Sequence, residues 1–108
     1  MIYELRVYHC LPGRLPALLE RFEKITLPLW EKHGIRQAGF WTTLIGESAN
    51  DLTYLLAWES LDELERRWGA FLADPDRLAA FRQSEKDGPI FADVSNTILL
   101  PTRFSSVR

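Results

Sequence analysis

Two neighbouring stretches constrain this chain most: Phe40-Trp41-Thr42-Thr43-Leu44-Ile45-Gly46 and Leu52-Thr53-Tyr54-Leu55-Leu56-Ala57-Trp58-Glu59-Ser60. Both are rich in β-branched and aromatic residues, and only the short polar segment up to Asp51 separates them. Such a pair reads as a β-hairpin with a loop of several residues. Neither half alternates cleanly between apolar and polar side chains, so both faces of its sheet are expected to be covered. Helices of the same chain can supply one cover. The other has to come from elsewhere.

The rest of the chain is consistent with a small soluble unit. Its 108 residues suit one domain over 1–108 with one core. Hydrophobic residues make up 46% and charged residues 26%, a balance that excludes disorder. A formal net charge of -2 and the lack of any long basic run argue against nucleic acid as a partner. No apolar stretch approaches the roughly 20 residues of a membrane span. Met1-Ile2-Tyr3-Glu4-Leu5-Arg6 lacks the layout of a secretory leader, which points to the cytoplasm. The single cysteine, Cys10, excludes an internal disulfide and fits a reducing compartment.

Taken in order, Ile2–Cys10 is a strand with Tyr3, Leu5, Val7 and His9 on one face and Glu4, Arg6 and Tyr8 on the other. Buried on that second face, Glu4 and Arg6 would need partners, so the two charges read either as an exposed sheet face or as a structural ion pair. After the turn at Pro12-Gly13, a helix carries Leu15, Leu18, Leu19, Phe22 and Ile25 as its apolar stripe, with Glu20, Arg21, Glu23 and Lys24 opposite. Pro28 demands a break or kink near Thr26-Leu27. A second helical piece ends at Gly34. Ile35 to Ile45 is the second strand, with Gly39 marking a bulge or a close approach. Leu52 to Glu59 is the third.

Ser60-Leu61-Asp62-Glu63 matches a capping box and opens the second helix. There Leu61, Leu64, Trp68, Phe71 and Leu72 form the stripe expected to be buried. Asp74-Pro75 restarts the helix, with Leu78 and Phe81 continuing the apolar side. Val94 to Leu100 is the last strand, stopped by Pro101. The order β-α-β-β-α-β predicts an α+β, ferredoxin-like fold, a four-stranded antiparallel sheet with the helices on one face. The open face would be a large apolar patch on a monomer, and a two-fold dimer packed sheet against sheet covers it.

With the order laid out, the chain resembles the NIPSNAP-domain family. The resemblance rests on Met1-Ile2-Tyr3-Glu4-Leu5-Arg6-Val7-Tyr8 with Pro12-Gly13, on Gly39-Phe40-Trp41-Thr42-Thr43 with Ile45-Gly46, and on Trp58-Glu59-Ser60-Leu61-Asp62-Glu63 with Arg66-Arg67. Ala73-Asp74-Pro75 and Ile98-Leu99-Leu100-Pro101-Thr102 complete it. Asp76-Arg77-Leu78 is less bulky than the family's usual residues after Asp-Pro. The resemblance implies a homodimeric α/β barrel. It assigns no reaction, since fold-level kinship does not transfer chemistry.

Candidate site residues follow from side-chain chemistry. His33, His9 and Arg6 are the catalytic candidates: a histidine to move a proton and Arg6 to orient an anionic group. Against this, a histidine at a helix C-terminus is explained by the dipole alone. His9 and Cys10 point to opposite sides of their strand, so they make no joint site. Two histidines without ligand spacing imply no metal, and no motif calls for a cofactor. Tyr3, Arg6, Trp41 and Trp58 are the ligand-binding candidates, lining with Tyr8, Tyr54 and Phe40 an apolar pocket between sheet and helices, with Arg36 and Glu4 as further polar groups; against this, aromatics on a sheet covered on both faces are more often core. Three functions stay open: a cofactor-free enzyme acting on a small apolar or aromatic compound, a non-catalytic binder of such a ligand, or an interaction module acting through its dimer surface.

Overall fold

The computed structural model describes every residue from Met1 to Arg108. Its elements run β1 (Ile2–Cys10), α1 (Leu15–Arg21), a π-helical turn (Phe22–Thr26), α2 (Leu27–His33), β2 (Arg36–Thr42), β3 (Asp51–Trp58), α3 (Leu61–Ala73), α4 (Pro75–Ser84) and β4 (Phe91–Leu99). The four strands form one sheet in the order β2-β3-β1-β4, and every neighbouring pair is antiparallel. This is the expected α+β ferredoxin-like arrangement.

Pro28 explains the middle of the first helical segment. In a regular α-helix its ring would strike the carbonyl four residues back. The chain instead widens by one π turn, and the Leu27 N–H bonds to the carbonyl of Phe22, five residues earlier. The expected break is therefore a widened turn within one continuous helical stretch. Widening also resets the phase: the buried positions run Leu18, Phe22, Thr26, Trp30, a four-residue repeat. Two expectations fail before that turn, where regular α-helical spacing sets Arg21 beside Leu18 and Phe22. Arg21, read as part of the polar side, is only 5% exposed, while Leu19 faces outward.

Other boundaries follow local chemistry. Gly34 takes a left-handed φ of 72° and closes α2. The bulge expected at Gly39 is present: the β2–β3 register shifts between Gln37 and Phe40, and the Trp41 ring lies where a Cβ on Gly39 would sit. Beyond Thr42 the second strand stops short of its predicted end, and Leu44 and Ile45 are 95% and 93% exposed in the loop. Ser60 Oγ accepts the Glu63 N–H at 3.1 Å, and Glu63 accepts the N–H of Glu59 at 2.8 Å, so the cap forms with its return bond one residue early. Leu61, Leu72 and Leu78, read as buried, are exposed instead, because only one side of α3 and α4 meets the sheet. β4 begins at Phe91, three residues before the predicted start.

The helices cover one face. Register places Glu4, Arg6 and Tyr8 on that face with Leu52, Tyr54 and Leu56 of β3. They meet Leu18, Phe22, Trp30 and Phe71 from the helices in one core. Phe40 stacks on Tyr54 with centroids 4.7 Å apart, and Phe22 stands edge-on to Tyr54 at 5.3 Å and to Trp30 at 5.6 Å. Each large side chain fully buried here contributes about 1.5–3 kcal/mol. Tyr3, Leu5, Val7 and His9 point to the opposite face, with Thr53, Leu55 and Ala57.

Candidate functional site

The helix-facing side of β1 is polar where a core strand is normally apolar. Glu4 is buried and saturated: it accepts from Trp58 Nε1 at 3.2 Å, Arg6 Nη1 at 3.1 Å and Asn96 Nδ2 at 3.0 Å. Arg6 also donates from Nε to the Tyr54 hydroxyl at 2.8 Å, and its guanidinium lies 4.7 Å from the Trp68 ring. Burial alone would lower the Arg6 pKa, but the tyrosine partners outweigh it and the charge is held firmly. Burial raises Tyr54 well above an ordinary phenol, so it stays protonated. Glu4 and Arg6 thus form the structural ion pair, not an exposed sheet face.

Arg6 then opens onto a cavity of about 180 Å³ between the sheet and the helices. Nine of its thirteen lining residues are hydrophobic, among them Phe22, Trp30, Trp68, Phe71, Phe81 and Phe91. The polar ones are Arg6, Arg21, Thr26 and Arg77. Tyr8 lines it as well. Four buried polar atoms in the protein lack a hydrogen-bond partner: Arg21 Nε, Thr26 Oγ1, Trp30 Nε1 and Arg77 Nε. All four belong to residues of this lining. Buried polar atoms are almost always paired, so four orphans among the residues of one cavity wall single this region out from the rest of the core. Burial lowers the pKa of both Arg21 and Arg77, the signature of buried positive charge short of a counter-ion.

The sequence-derived candidates disperse over the molecule. Arg6 and Tyr8 line the cavity. Trp58 is fully buried beside it, with its indole committed to Glu4. Trp41, 52% exposed, lines a wider open groove of about 450 Å³ with Leu19, Leu27 and Phe40. Tyr3 lies on the outer face in a groove with Leu55 and the C-terminal Leu99–Val107 stretch. His9 sits 2.9 Å from Asp51 at the end of the β1–β3 pair, and its hydrogen bond raises its pKa. His33 lies 2.7 Å from Asp74, tying α2 to the cap of α4. Arg36 pairs with Glu63 at 3.2 Å, away from the cavity. Cys10 is buried, and burial raises its thiol pKa, so it makes a poor nucleophile. No group of three His, Cys, Asp or Glu side chains converges as a metal site.

Sequence reading missed Arg21, Thr26, Trp30 and Arg77. Arg77 and Phe81 stand four apart on one helix, a spacing that was visible. Arg21 stands three residues after Leu18 on regular α-helix, and its charge assigned it to the polar side. The open groove beside Trp41 is larger, yet no orphaned polar atom belongs to its lining. The enclosed cavity is therefore the candidate site.

A split-βαβ sheet with helices over one face and an arginine-bearing aromatic cavity between the layers defines a small ferredoxin-like domain. The family model described as NIPSNAP matches residues 3–106, and the chain belongs to that family. Among solved structures, an uncharacterised NIPSNAP-like domain protein from Burkholderia xenovorans is 29% identical with a TM-score of 0.85, over 96% of this chain and 87% of that one. Protein Atu4242 from Agrobacterium tumefaciens is 29% identical with a TM-score of 0.87, over all of both chains. Rv0793 from Mycobacterium tuberculosis, at 17% identity and a TM-score of 0.64 over 97% of this chain and 98% of that one, shares the fold. No curated protein matches the chain.

Proposed function

We propose that this protein binds a small aromatic or apolar molecule in the cavity between sheet and helices, and does so as a homodimer. The observation that carries the reading is one aromatic-walled cavity whose lining residues carry all four of the partnerless buried side-chain polar atoms. The lining contains neither histidine nor carboxylate, the groups most used to move protons at neutral pH, which favours binding over turnover. The dimer rests on the sheet's outer face, where Leu5, Val7 and Leu55 are covered by no helix of the chain.

Binding is tested by thermal unfolding with benzyl alcohol, benzoate and benzylamine. A ligand of the native state raises the midpoint in proportion to the logarithm of its concentration. At least one compound is expected to do so in the wild type. Val94→Phe, which fills the cavity from β4, is expected to abolish the effect. If none of the three shifts the midpoint, or the filled variant responds equally, the cavity is not a binding site.

A further inference from the structure

We infer that the cavity selects the carboxylate of a single-ring aromatic acid, with Arg21 and Arg77 as its anionic subsite; this rests on the cavity being a ligand site at all.

The charge balance inside the cavity points this way. Three guanidinium groups line it and no carboxylate does. Arg6 is matched by Glu4 at 3.1 Å. Arg21 reaches only Glu85, a partly exposed carboxylate, at 3.9 Å, with a long contact to Ser84 Oγ at 3.4 Å. Arg77 has no ion pair, and its one bond runs from Nη1 to the Leu72 carbonyl at 3.3 Å. Both guanidinium groups lie against the same ring, with Cζ 4.3 Å and 4.6 Å from the Phe81 centroid. They repel one another there, and the Arg77 charge lowers the Arg21 pKa further. A carboxylate that reaches either guanidinium offsets the cost of its unpaired buried charge.

Donor type and size narrow the guest. The orphaned Arg21 Nε, Arg77 Nε and Trp30 Nε1 all donate and never accept. Thr26 Oγ1 can donate as well. A carboxylate only accepts, and it offers about four lone-pair sites. The remaining wall is aromatic, which suits a ring and not a hydrated inorganic ion. A dry cavity of about 150 Å³ takes benzene. At about 180 Å³ this one has room for one ring and its carboxyl group.

The test follows the tryptophan indole N–H signals of the intact protein by NMR. Trp30 and Trp68 line the cavity, and Trp41 and Trp58 do not, so they serve as internal references. Benzoate, benzyl alcohol and inorganic phosphate are titrated in turn. Benzoate is expected to move the Trp30 and Trp68 signals and to bind at least about tenfold tighter than benzyl alcohol, the ratio one charge-assisted hydrogen bond supplies. Phosphate is expected to bind more weakly than either. Arg77→Gln, at a half-buried position, is expected to weaken benzoate at least about tenfold and benzyl alcohol by much less, with the Trp58 signal reporting an intact fold. Equal affinity for benzyl alcohol overturns the anionic subsite while the cavity stands as a binding site. Phosphate binding as tightly as benzoate overturns the aromatic body. Benzoate affinity unchanged in both Arg21→Gln and Arg77→Gln overturns the assignment of the arginines. If no compound perturbs Trp30 or Trp68, the binding reading itself falls.

Discussion

Asp74 closes one helix junction with three interactions. It caps α4 through the Asp76 N–H at 2.8 Å, and it holds Lys32 Nζ at 2.8 Å and His33 Nε2 at 2.7 Å. The Lys32 bond, then the His33 bond, then the backbone bond keep its carboxyl far below the usual aspartate range. A depressed carboxylate contributes stability above its unfolded value, about 3.9, and that stability is lost as pH falls. His9 has the opposite sign. Its hydrogen bond to Asp51 raises it, so its contribution is complete below about 6.5 and is lost as pH rises through the raised value. Stability is therefore expected to peak between about pH 4.5 and 6.5. Urea midpoints from pH 3 to 8 check this: Asp74→Asn should flatten the acid limb and His9→Gln the limb above pH 6.5. An acid limb equally steep in Asp74→Asn would show that other carboxylates carry it. Both partners of Asp74 precede it by about forty positions, so the Asp-Pro cap was legible in the sequence and the pairs were not.

At the scale of the element, local chemistry was read best where a single residue type leaves little choice. The Ser60 cap, the Gly34 stop, the Asp74-Pro75 restart and the Gly39 bulge all stand where residue chemistry put them. Removing the first should have a defined cost: Ser60→Ala is expected to destabilise the protein by about 1 kcal/mol in urea unfolding, since the Glu63 N–H loses its acceptor. Errors fell where burial, not propensity, decides. Leu44 and Ile45 have strand propensity but no strand opposite them, so they end in the loop. Arg21 was misplaced because its charge was read as solvent-facing, although regular α-helical spacing sets it beside Leu18 and Phe22.

For the whole molecule, the unresolved question is what meets the outer face of the sheet. Leu5, Val7 and Leu55 on that face are only half-buried within one chain, and Trp41 and Leu99 at its margins are more than one-third exposed. A second copy packed face to face would cover them. Light scattering on the wild type is expected to give twice the chain mass. Leu55→Lys, a charge at the middle of that face, is expected to give a monomer that keeps its helical circular dichroism. A wild type that runs as a monomer at micromolar concentration would remove the dimer. It would turn attention to the same face as a docking surface for another protein.

By itself the sequence determined the order of elements, the ferredoxin-like class, the helix ends and the shared face of Glu4 and Arg6, because these depend on residues close together in the chain or on period-two alternation. Tertiary structure alone decided the candidate site. Arg6 comes from β1, Arg21 and Trp30 from either side of the π turn, and Arg77 from α4. What makes them a site is that Arg21, Trp30 and Arg77 each keep a buried donor without a partner where the layers meet, and whether a buried donor is satisfied is a property of the packed fold that no local window of the chain contains.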